Sequence, residues 1–152
     1  MGIFNCASGN SIWRGLDYYK GKKVVSYRKL DDFRYEGKVN GNYEKVYHVL
    51  LDTKYPRRSK CDCPHADGRR VVCKHMVALY FIVFPDEVDR FLKEVEEESI
   101  EYANYEKELY QKTMKHIKKM SKSKLQAALI HIFDIGPKWI YDDFVRSYVE
   151  FK

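Results

Sequence analysis

A chain of 152 residues has room for one domain, or for a small domain with an attached subdomain, and excludes two large independent cores. Apolar residues at 45% and charged residues at 33% are too hydrophobic a mix for wholesale disorder, and no apolar run is long enough for a membrane span. The formal charge of +6 is unevenly spread: Lys and Arg are frequent in residues 1–72, acids gather in residues 86–108, and Lys112 to Lys124 turn basic again. Such asymmetry points to an anionic partner for the N-terminal part, while the acidic stretch reads as a solvated helix face.

Met1 to Asn10 carries no basic flank leading into a long apolar segment. The expectation is therefore no secretory signal and a reducing intracellular setting, cytoplasm or nucleus, in which cysteines are thiols or metal ligands. Gly2 follows Met1, but Cys6 stands where myristoylation asks for Ser or Thr. Residues 22–28, 33–39 and 43–52 read as strands, with Phe33, Tyr35, Gly37 and Val39 alternating with polar neighbours. Asn40-Gly41 marks a type I′ hairpin turn between the second and third. In the third strand Tyr47, Val49 and Leu51 share one face and Val46, His48 and Leu50 the other, which predicts a central strand of an antiparallel meander.

Met76, Leu79, Tyr80 and Val83 recur at helical spacing up to Pro85, so a helix that packs on the sheet is expected there. From Asp86 to about Met120 the series Val88, Phe91, Leu92, Val95, Tyr102, Tyr105, Leu109 keeps the helical period, as one long helix or as two broken near Ser99. Ser123 with Gln126 suggests a capping box for a helix through Leu125, Leu129 and Ile132 that ends at Gly136-Pro137. Ile140, Phe144, Tyr148 and Phe151 form a last apolar stripe. The fold class expected is α+β: a small antiparallel sheet with a metal-bound unit over residues 11–84, then a helical subdomain over residues 85–152.

The chemistry sits between sheet and helix. Cys61-Asp62-Cys63 and Cys73-Lys74-His75 supply three sulfurs and one imidazole, a full tetrahedral shell for one structural Zn²⁺. In an extended segment residues i and i+2 point the same way, so Cys61 and Cys63 face the metal while Asp62 faces away, and Pro64 ends the strand. On a helix i and i+2 do not share a face, which places Cys73 just ahead of the helix and His75 within its first turn. Buried free thiols beside an unrelated histidine are the competing reading. Arg57, Arg58, Lys60, Arg69 and Arg70 bracket the segment, however, and make it a poor core strand. His65 is a substitute ligand that a closed shell does not need, and Cys6 reads as an ordinary thiol.

Cys61-x-Cys63…Cys73-x-His75, with Cys63-Pro64 and Cys73-Lys74-His75-Met76-Val77-Ala78-Leu79 around the ligands, resembles the SWIM zinc finger over residues 14–84. The resemblance implies a ββα-like finger with roles in DNA binding or protein–protein contacts. It also implies company with Swi/Snf-type ATPases, transposases or partners of RecA-type recombinases; without an ATPase or transposase pattern in this sequence, an accessory factor is the reading that fits.

Zinc, three thiolates and a neutral imidazole sum to one negative charge, fewer than the surrounding cations Arg57, Arg58, Lys60, Arg69, Arg70 and Lys74 would neutralise. The surplus predicts phosphate contacts with nucleic acid, DNA first. Lys22, Lys23, Arg28 and Lys38 are auxiliary candidates. Tyr27, Tyr35 and Tyr55 are candidates for base stacking, against which stands ordinary sheet packing. An alternative is a protein-interaction adaptor anchored through Trp139, Tyr141, Phe144 and Tyr148, whose competing role is packing between the last two helices. An enzyme is not expected: four protein ligands close the metal, and neither the His-x-Glu with Pro-Cys-x-x-Cys of the zinc deaminases nor a Gly-rich phosphate loop occurs.

Overall fold

The computed structural model describes residues 2–42 and 45–149. Tyr43 and Glu44, assigned from sequence to the start of the third strand, and Phe151, assigned to the last apolar stripe, lie outside the described residues. In chain order the elements are α1 (Gly9–Lys20), β1 (Val24–Lys29), β2 (Arg34–Asn40), β3 (Val46–Asp52), β4 (Lys60–Cys61), α2 (Lys74–Val83), α3 (Asp86–Ile117), α4 (Lys122–Ile135) and α5 (Lys138–Tyr148). Short 3₁₀ turns occupy Phe4–Cys6 and Pro56–Arg58. The chain divides into two compact units, Met1–Glu96 and Glu97–Lys152. The division falls inside α3 because Val88, Phe91 and Leu92 in its first turns pack against the core of the first unit.

The sheet runs β1-β2-β3-β4, all antiparallel. As the two apolar faces of its sequence implied, β3 is an interior strand. It is flanked by β2, with Gly37 opposite Val49, and by β4, with Val49 opposite Cys61. One face of the sheet carries Tyr35, Val39, Val49 and Leu51 into the core. The hairpin between β2 and β3 is not a two-residue turn: Asn40 still pairs with Val46, and neither Asn40 nor Gly41 has positive φ. Residues 41–45 lie between the paired ends, and the Gly41 N–H donates to the Lys45 carbonyl at 2.6 Å.

Helix α2 is apolar nearly all round, the mark of a helix covered on more than one side. Met76, Val77, Ala78, Leu79 and Phe81 are all fully buried. The sheet covers one side, where Leu79 sits so close to Gly37 that a Cβ there would lie 2.8 Å from Leu79 Cδ1. The other side is covered by α1, which the sequence reading left without a structure. A Cβ on Gly15 would stand 2.5 Å from Val77 Cβ and 3.1 Å from the Lys74 carbonyl oxygen, so glycine is what lets the two helices touch. Ser8 caps α1 by accepting the Ser11 N–H at 3.2 Å, and Ile12 and Leu16 are its buried anchors.

In the second unit α3 is continuous through Ser99. Helix α4 begins two residues earlier than the Ser123 capping box would place it: its N-cap is Ser121, whose Oγ accepts the Lys124 N–H at 3.4 Å. Gly136 and Pro137 separate α4 from α5 as expected. Phe133 meets Tyr141 and Phe144 at centroid distances of 5.6 and 5.0 Å. Among the described residues no helix is long and apolar enough to cross a membrane.

Candidate metal centre and the groove beside it

Each ligand is placed by a different local device. Asp52 accepts the Tyr55 N–H at 2.6 Å through Oδ1, while its own N–H is received by the buried Ser59 Oγ at 2.9 Å. These bonds fold residues 52–59 back so that β4 pairs with β3 and Cys61 faces inward. Asp62 faces out, as the alternation required: its Oδ1 accepts the His48 N–H at 2.9 Å. The strand ends at Cys61, ahead of Pro64, because the Cys63 carbonyl already accepts the Ala66 and Asp67 N–H groups, both at 2.9 Å, in a tight turn. Gly68, at φ +67°, turns that loop in a conformation that favours glycine. Cys73 is the N-cap of α2, with extended backbone, and His75 lies in the first turn.

Cys61, Cys63, Cys73 and His75 are 5%, 3%, 1% and 2% exposed, and their ligand atoms all lie within 4.8 Å of one another. His75 Nδ1 stands 3.6 Å from Cys61 Sγ and 3.9 Å from Cys73 Sγ. Bonds of about 2.3 Å to sulfur and 2.0–2.1 Å to nitrogen at a tetrahedral angle require S···N edges of about 3.6 Å. The residues therefore fit one zinc ion bound through Nδ1. Without a cation such a nest cannot hold three charges: the Cys73 thiol is pushed down to about 4 by a hydrogen bond from Cys61. Cys61 is raised by that same bond, and Cys63 by burial and by the Cys73 charge beside it. A divalent ion removes the conflict by neutralising the sulfurs.

Two residues to which the sequence gives no part in the site hold the imidazole. Tyr47 stacks on the His75 ring at 4.5 Å with planes 27° apart, and Tyr18 meets it edge-on at 5.3 Å. His75 Nε2, which carries the proton when Nδ1 binds metal, is buried and has no hydrogen-bond partner among the described residues. The two rings thus orient the ligand, a task more often given to an acceptor on the second nitrogen. A tyrosine at strand spacing carries no sequence signal for this role. His65 and Cys6 are not in the ligand cluster; His65 is exposed on the turn after Cys63 and Cys6 is half-buried in the first 3₁₀ turn.

Beside the metal ligands lies a groove of ≈ 1320 Å³ whose rim includes Lys54, Arg57, Arg58, Lys60, Arg69 and Arg70. Five of the six residues assigned to phosphate contact thus share one concavity. Lys74 does not: its Nζ donates to Tyr18 Oη at 2.6 Å and sits 4.2 Å over that ring, on the far side of the ligands. Proximity in sequence misplaced it, because the first turn of α2 points it toward α1. Among the described residues Arg57, Arg58, Lys60, Arg69 and Arg70 make no ion pair. Of the three acidic residues that line the groove, Glu36 and Asp62 are engaged with Arg28 and the His48 N–H, and Asp67 lies beside Arg69 and Arg70 in sequence. Arg58 lies 4.4 Å over the half-exposed Tyr55 ring, whereas Tyr35 is buried in the core.

Residues 47–83 match the family model of the SWIM zinc finger. The comparisons with curated proteins and with solved structures find no match. The matched segment runs from the ring-stacking Tyr47 through the end of α2, and so contains all four ligands and the basic residues of the groove. Family match and buried Cys₃His cluster agree: residues 47–83 match the SWIM zinc finger, and the four ligands within them fit one structural zinc.

Proposed function

We propose that this zinc-binding module is an intracellular accessory factor that binds nucleic acid, DNA in the first place, through the groove beside the finger. The observation that carries the reading is the set Arg57, Arg58, Lys60, Arg69 and Arg70 around one concavity, without an ion pair among the described residues. Charges that neither neutralise the protein nor one another are suited to phosphates. Tyr55, half-exposed under Arg58, offers a stacking face for a base. Of the other tyrosines considered, Tyr35 serves packing; Arg28 is occupied by Glu36 at 2.9 Å, leaving Lys22, Lys23 and Lys38 as auxiliaries. The test is binding of the zinc-loaded protein to single- and double-stranded DNA across a salt series. Neutralising about five phosphates gives a log–log slope of about −4 to −5, hence several hundredfold weaker binding from about 50 to 200 mM salt. Binding indifferent to salt sinks this reading.

A second reading, an adaptor to a protein such as a RecA-type recombinase or an ATPase, is favoured by the exposure of Trp139 (66%) and Tyr148 (67%) on α5. Both readings are non-enzymatic, since four protein ligands leave a zinc no position for water or substrate. Turnover that tracks bound zinc would overturn that part.

A further inference from the structure

Of the described residues in the second unit, none is buried. Helix α3 carries one continuous seam at alternating spacings of three and four, the a/d pattern of a coiled coil. It starts with Val88 and Phe91 on the core of the first unit and runs on through Val95, Glu98, Tyr102, Tyr105, Leu109, Lys112 and His116. Beyond Val95 the seam is open: Tyr102, Tyr105 and Leu109 are 64%, 62% and 49% exposed. The charges along the same helix are polarised. Residues 94–108 hold seven glutamates against Lys107 alone, and residues 112–124 hold six lysines and no acid.

From this polarity we infer that the α3 seam pairs with the same seam of a second copy of this chain, in antiparallel orientation. A helix that is acidic at one end and basic at the other is its own electrostatic complement when reversed. Centred between Tyr105 and Leu109, antiparallel pairing sets Tyr105 against the second copy's Leu109 and Tyr102 against its Lys112, whose stem covers the ring. Glu98 then meets the second copy's His116, and Glu101 its Lys115 at the flank, each contact occurring twice by symmetry. Parallel pairing would instead stack Glu98 on Glu98 and Lys112 on Lys112 in the seam and set Glu101 against Glu106 at the flank. Near the centre, Glu108 is already engaged by Lys112 of its own helix at 3.4 Å. The pairing is independent of the groove, since it is read without nucleic acid.

The test is sedimentation equilibrium of the zinc-loaded full chain between about 5 and 500 µM, a range that brackets affinities of unoptimised helical pairs. The expected result is a monomer–dimer equilibrium. Glu101→Lys and Lys115→Glu variants each associate at least about tenfold more weakly alone, and mixed in equal amounts they recover dimer at the wild-type level. Recovery on mixing shows that the variants are folded. Orientation is read by oxidation in a Cys6→Ser background: Glu98→Cys protomers cross-link to His116→Cys protomers and not to themselves. A wild-type chain monomeric across the range, as when a different protein covers the seam, overturns the inference. So do charge-reversed variants that dimerise undiminished, or self-cross-linking of Glu98→Cys.

Discussion

Tyr47 on β3 lies nearly flat on the His75 ring of α2, centroids 4.5 Å apart, so a sheet residue fixes the attitude of a metal ligand. Replacing Tyr47 with Ala removes the stacking surface and frees the ring to turn. Zinc affinity, measured by competition with a chromophoric chelator, is expected to fall about tenfold, the usual scale for losing a group that orients a ligand. Tyr47→Phe keeps the ring and should stay within about twofold of the parent.

Cys73→Ser tests the closure of the site itself. Structural zinc is worth about 10–16 kcal/mol in small fingers, as much as the whole stability of many domains. The variant is expected to purify without stoichiometric zinc and to lose cooperative melting of the first unit, seen by circular dichroism and metal analysis. Chelation of the parent protein should reproduce the loss.

Acid should release the metal, and the slope is set by how many protons zinc displaces. Near neutral pH the metal-free site has already lost the Cys73 proton, since its pKa lies at about 4, while Cys61 and Cys63 keep theirs because both are raised. Zinc must therefore expel two protons, and protons compete with metal, so affinity rises with pH. The expected change is about 100-fold per pH unit around pH 7–8. Zinc dissociation constants against pH check it; a slope of three protons at neutral pH would show that Cys73 is not ionised first.

The groove is tested by difference. Arg69→Gln/Arg70→Gln should weaken DNA binding and make the salt slope shallower by about 2, whereas Lys74→Gln should leave the slope unchanged, because Lys74 is turned toward Tyr18. A filter-binding salt series on the three proteins separates these outcomes.

Gly15→Ala puts a methyl 2.5 Å from Val77 Cβ and against the Lys74 backbone, neither of which yields easily. It should cost about 1–3 kcal/mol in chemical denaturation of the zinc-loaded protein. Gly37→Ala meets mainly the flexible end of Leu79, at 2.8 Å, and should cost less.

The metal ligands were legible in the sequence because each pair is governed by local geometry: alternation in an extended segment for Cys61 and Cys63, a helix start for Cys73 and His75. The meander was legible for the same reason. Helix α1 was not, because Gly9 and Gly15 depress helical propensity and the buried stripe of Ile12, Gly15 and Leu16 uses a glycine as a contact residue. Strand β4 is two residues long and exists only through its pairing with β3, a long-range fact. Lys74 shows the limit most clearly: its neighbours in sequence bind metal, yet which way it points is decided by α1, more than fifty residues upstream.

The shortness of β4 has one more consequence. Its two residues cover part of one side of β3, whose sequence Val46–Asp52 is rich in β-branched and apolar side chains, and Cys61 anchors that cover to the metal. When zinc leaves, the cover keeps only its pairing with β3 and the bonds through Ser59 and Asp62, and wherever these open the backbone donors and acceptors of β3 become a template for another chain. Metal-starved protein is therefore expected to be lost as insoluble material before it is lost as unfolded chain.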